Sequence, residues 1–150
     1  EYLRTDDTAD SLSDYGPALG RRFRALKLWM TLRCFGSKAI QERVRYAIAL
    51  AKEFESWVDA EPGWQVSAPR HFSLVCFRLK GSDEANLTLL ERVNATGEMF
   101  ITHTRIDDCV VLRLAIGNAR TKREDVERAW QVLRCEAEGL AREEGLHVSQ

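Results

Sequence analysis

Arg21, Arg22, Arg24 and Lys27 crowd the start of one apolar stretch, directly after Gly20. A basic group at a helix start can hold an anion, because unpaired N–H groups and the positive end of the helix dipole add to the side-chain charge. Gly20 would let backbone approach such a ligand without a Cβ in the way. The competing reading is a set of structural ion pairs and interface contacts, and position alone leans toward it. Tyr2 heads a polar loop, residues 3–14, rich in Asp, Ser and Thr. A phenol there is either incidental surface or a proton donor delivered on loop closure. His71, His103 and His147 are far apart, lack metal-ligand spacing and read as structural or surface groups, so no metal is expected. Cys34, Cys76, Cys109 and Cys135 form no C-x-x-C pair, and each sits in an apolar or helical run. Most are therefore expected as buried free thiols, which favours a reducing compartment, the cytoplasm. No spacing supports a Ser/His/Asp triad, a dinucleotide fingerprint or a phosphate-binding loop.

These groups need elements to hold them. The chain has 150 residues, enough for one ordinary domain with a real core. With 22 basic and 23 acidic residues its net charge is −1, which gives no global case for nucleic acid or an acidic membrane surface. No apolar run approaches the roughly 20 residues of a membrane span, and Glu1–Asp7 lacks signal-peptide character.

Gly16-Pro17 closes the polar loop, and a helix is expected over 18–35, apolar on nearly all sides. Such a helix must be buried by neighbours, here by material upstream. Gly36 stops it and Ser37 caps a second helix, 37–59, with Ile40, Val44, Ala47, Ile48, Ala51, Phe54 and Val58 as its stripe. A short strand over 64–68, a strand over 72–79 and a helix over 84–96 follow. Strands over 99–105 and 109–116 then pair as a hairpin across Asp107-Asp108. The last helix spans 122–143, with Thr121 and Glu124 as a capping box. From residue 64 onward this order predicts an α+β unit, an antiparallel sheet covered by helices.

The run Gly16-Pro17-Ala18-Leu19-Gly20-Arg21-Arg22-Phe23-Arg24-Ala25-Leu26-Lys27-Leu28-Trp29 resembles the group II pyridoxal-phosphate (PLP) decarboxylases of aromatic amino acids. Ordered later matches extend the likeness over nearly the whole chain: Phe54-Glu55, Leu74–Gly81, Leu89–Asn94, Thr102–Thr104, Leu112–Gly117 and Ala129-Trp130. The resemblance implies an α/β enzyme of fold type I, PLP-dependent transferase-like, of which this chain is the C-terminal part. Residues 1–60 would carry the catalytic loop and closing helices of the PLP-binding large domain, and 61–150 the small α+β domain.

The family works as a homodimer with active sites at the interface, and holds PLP through a Lys that follows a His. No His-Lys pair occurs here; the lysines are 27, 38, 52, 80 and 122. The cofactor-holding Lys is thus expected in the upstream part of the same enzyme. Tyr2-Leu3 matches the start of the family's mobile loop, whose Tyr returns a proton to Cα after carbon dioxide leaves. Leu19 and Gly20 match residues that reach the partner's active site as substrate contacts, Gly20 also lying near the cofactor phosphate. A glycine there leaves room for a ring as large as an indole. Ser13 and Tyr15 depart from the basic residue and Trp that many relatives place before this run, and the loop is a few residues shorter than in animal enzymes. The implied reaction is decarboxylation of an aromatic L-amino acid to its arylalkylamine. The alternatives are decarboxylation with oxidative deamination to an aldehyde, a related PLP enzyme acting on glutamate or another acidic substrate, and a non-catalytic α+β interaction module.

Overall fold

The computed structural model describes residues 22–147, with side chains through residue 143. The chain divides into two compact units, Glu1–Ser37 and Lys38–Gln150.

The described part of the first unit is helical. Helix α1 is assigned over Arg24–Ala60, but Gly36 (φ 74°, ψ 156°) breaks it into two helices. Positive φ is open to glycine at little cost, so the expected stop falls where the sequence places it. The Thr31 hydroxyl donates to the Lys27 carbonyl one turn back, at 2.8 Å.

The second unit holds the remainder of α1, then β1 (Trp64–Val66), β2 (Leu74–Leu79), α2 (Asp83–Ala95), β3 (Thr102–Ile106), β4 (Cys109–Ala115) and α3 (Arg123–His147). The strands form one antiparallel sheet in the order β1-β2-β4-β3. Register places Trp64 opposite Leu79, Val66 opposite Phe77, and Phe77 opposite Leu112, so these residues share one face. That face meets Phe54, whose ring packs edge-on against Phe77 at 5.2 Å and Trp130 at 5.6 Å. Leu50, Ala51, Phe54 and Val58 are all buried in this core. The helix up to Val58 therefore belongs to the sheet's own core.

Two asparagines hold α2 to the strands. Buried Asn86 accepts from the Leu79 N–H (2.9 Å) and donates to the Leu79 (3.2 Å) and Ser82 (2.9 Å) carbonyls. Asn94 accepts from the Ile101 N–H (2.9 Å) and donates to its carbonyl (3.0 Å). Each amide substitutes for a strand partner, which satisfies backbone groups that burial would otherwise strand without a bond.

The elements match the sequence expectation in type and order, with shifted ends. The strand expected over 72–79 begins at Leu74, because Phe72 adopts φ 52°. The strand expected over 99–105 begins at Thr102, after the clamped Ile101, and the one over 64–68 ends at Val66. Helix α3 runs on to His147. Its start is closed by Asp125, whose carboxylate accepts from the Lys122 N–H at 2.8 Å, one residue beyond the expected Thr121/Glu124 box. The cysteines are free as expected, but Cys34, Cys109 and Cys135 are exposed and Cys76 is half-buried. Their runs are only partly apolar: Cys109 follows a surface turn, and Cys135 lies outside the buried set of α3.

Candidate functional site

The first unit presents an apolar surface. Phe23 (71 % exposed), Leu28 (63 %), Trp29 (59 %) and Phe35 (68 %) lead it, with Leu26, Met30 and Leu32 also exposed. These residues occupy nearly every side of one helix, so they cannot face inward together. Arg24 and Lys27 on this helix and Arg22 just ahead of it are exposed, and among the described residues none of the three joins an ion pair. Tyr2, Leu19, Gly20 and Arg21 lie outside the described residues.

The second unit carries an open groove of about 480 Å³ between the end of α1 and α3. Its lining combines Trp57 and Trp130 with Arg123, Arg134, Glu61 and Glu127. Arg123 is central: its Nε donates to Glu53 at 2.7 Å, its Nη1 to Glu127, and its guanidinium lies over the Trp57 ring at 5.7 Å. The Glu53 hydrogen bond, followed by the charge of Glu127, holds the Arg123 pKa above its ordinary value. Arg134 sits 3.3 Å from Glu61.

The other ionic groups fasten elements together. Asp83 accepts from the Val110 N–H (2.9 Å) and pairs with buried Arg78 (3.1 Å) and with Arg105 (3.3 Å). Glu98 takes two hydrogen bonds from Arg128, at 2.6 and 2.8 Å, which lower its pKa. His71 and His103 are exposed, and among the described residues no His, Cys, Asp or Glu group could hold a metal. No described helix is long and apolar enough to cross a membrane.

The described residues do not fit PLP. A lysine amine must meet its aldehyde in an enclosed site, whereas all five lysines are exposed and none lines the groove. The sequence brought out the residues 19–29 but not the groove. Its residues come from two helices more than 60 positions apart, and no short-range spacing signals such a meeting.

The described residues thus hold an α+β unit with its own core and, ahead of Gly36, a helix whose apolar residues stay exposed. Residues 1–80 match the pyridoxal-dependent decarboxylase conserved domain. Phenylacetaldehyde synthase of Arabidopsis thaliana is 43% identical over 151 residues, covering 93% of this chain and 31% of that protein. Tyrosine decarboxylase 2 of the same plant is 41% identical over 153 residues, covering 95% of this chain and 28% of that protein. Among solved structures, Oryza sativa TDC with PLP and tryptamine aligns with TM-score 0.77 at 37% identity, over 86% of this chain and 29% of that one. Catharanthus roseus tryptophan decarboxylase in complex with L-tryptophan aligns with TM-score 0.75 at 41% identity, over 82% and 27%. The chain belongs to the pyridoxal-dependent decarboxylase family. It spans about three-tenths of the length of the relatives it matches.

Proposed function

We propose that the whole protein is a PLP-dependent carboxy-lyase converting an aromatic L-amino acid to the arylalkylamine and carbon dioxide. One observation carries this reading: the ordered likeness to aromatic amino acid decarboxylases over 95% of the chain at 41% identity. PLP, whose Schiff-base lysine lies outside this chain in this reading, supplies the electron sink.

In this reading residues 1–60 carry the catalytic loop and closing helices of the large domain, and 61–150 form the small domain. Tyr2 holds the proton destined for the substrate's Cα, and loop closure excludes water from that transfer. Leu19 and Gly20 line the substrate site, Gly20 beside the cofactor phosphate. The protein works as a cytoplasmic homodimer, without nucleic acid or membrane partners. The exposed apolar helix from Phe23 to Phe35 supports the partner assignment, because an apolar surface of this kind marks a packing site.

A second reading has a specific observation behind it: a relative at 43% identity is a phenylacetaldehyde synthase. One experiment addresses both. The full-length protein is supplied with PLP and with phenylalanine, tyrosine, DOPA or tryptophan, and amine and aldehyde are quantified. Amine as the main product supports decarboxylation, aldehyde supports the second reading, and neither product with any of the four overturns both. In the first case Tyr2→Phe is expected to cut amine formation at least ~100-fold, the usual range for loss of a positioned acid.

A further inference from the structure

We infer that the groove between the end of α1 and α3 is a binding site for a small zwitterion carrying an aromatic group. The inference is independent of the catalytic reading, since none of its residues is assigned to that chemistry.

The lining is complementary to such a ligand. Trp57 and the edge of Trp130 supply aromatic wall along an open groove of about 480 Å³. Two guanidiniums and two carboxylates line it, paired as Arg123 with Glu127 and Arg134 with Glu61, so a ligand of balanced charge can join both pairs while a singly charged one upsets the balance. The guanidiniums retain donor capacity. A guanidinium has five N–H donors. Arg123 commits its Nε to Glu53 and its Nη1 to Glu127. Among the described residues Arg134 makes the 3.3 Å ion pair with Glu61 and no other. Gln131, exposed on the same wall, adds an amide. A ligand carboxylate meets Arg134 and Gln131, its ammonium meets Glu61 and Glu127, and its ring lies against the indoles. Arg123, braced from both sides and stacked on Trp57, keeps that wall upright.

The test is hydrogen exchange of the full-length protein, read in peptides covering 57–61 and 123–134, so that occupancy of any other site is recorded separately. The probes are L- and D-phenylalanine, 3-phenylpropionate and 2-phenylethylamine. The D enantiomer is a probe that an L-specific decarboxylase leaves intact. Either amino acid should slow exchange in these peptides saturably, about twofold at a concentration equal to Kd and more above it. The singly charged analogues should need at least ~10-fold higher concentration for the same protection, the effect of one lost charged contact. Arg134→Gln and Glu61→Gln, both at solvent-accessible positions, should each weaken the protection without altering exchange in β2 or β4. No protection by either enantiomer overturns the inference. So does equal protection by 3-phenylpropionate or 2-phenylethylamine, or protection that survives both substitutions.

Discussion

The helix on the amino side of Gly36 is richer in apolar residues than the unit that follows it, yet only the second buries its own. In residues 38–147 Phe54, Val58, Phe77, Leu112 and Leu133 are sealed from solvent, while on the preceding helix Phe23, Leu28, Trp29 and Phe35 are more than half exposed. Periodicity decides which of the two can bury its apolar residues. The helix from Lys38 onward confines its buried residues to Leu50, Ala51, Phe54 and Val58, one stripe that a single sheet face can cover. The earlier helix is apolar around its circumference, and one flat neighbour cannot cover a cylinder. Its partners must come from more than one direction, as they would within a large domain or at a subunit interface.

The largest break in this comparison is Phe54→Ala. It deletes the ring on which Phe77 and Trp130 pack and should lower the unfolding free energy of the sheet unit by about 3–5 kcal/mol, read by urea denaturation. Asn86→Ala comes next. It leaves the Leu79 N–H and carbonyl without their amide partner, at a cost of about 1–3 kcal/mol in the same measurement. Trp29→Ala sharpens the contrast from the other side. In the 150-residue chain it should change stability by no more than ~0.5 kcal/mol, as for an ordinary surface substitution, whereas in the full-length assembly it should weaken subunit or domain association, read by sedimentation.

The smallest effect is expected at Glu98. Its folded pKa is depressed by Arg128, so the pair contributes stability above the ordinary carboxylate range and loses it as pH falls through the lowered value. The melting temperatures of wild type and Glu98→Gln should therefore converge on acidification, both residues being at the surface.

Much of this architecture is legible in the sequence because local chemistry determines it. The Gly36 break, the Asp107-Asp108 hairpin and the alternation in β2 are each decided within a few residues. The strand starts are not, because they depend on distant partners. Leu74 opens β2 only after Phe72 has taken positive φ, with Arg70 donating to the Phe72 carbonyl at 3.0 Å. Ile101 is withheld from β3 by an asparagine seven residues back. The cysteines misled for the same reason: an apolar run says that a segment is buried, not which of its side chains face inward. The candidate site divides likewise. The residues 19–29 carry a likeness readable in one dimension, whereas the tryptophan–arginine groove exists only once α1 and α3 meet. The parts assigned to Tyr2, Leu19 and Gly20 rest on likeness and are tested through the products and the Tyr2→Phe variant.

The central claim is that the helix before Gly36 is completed by chain beyond this one. Hydrogen exchange at residues 24–35, compared between the 150-residue chain and the full-length protein, tests it most directly. A helix of this length is marginal in water without packing. The account predicts rapid exchange there in the short chain and strong protection in the full-length protein, with β2 and β4 protected in both. Protection of residues 24–35 as strong in the short chain as in the full-length protein would contradict it.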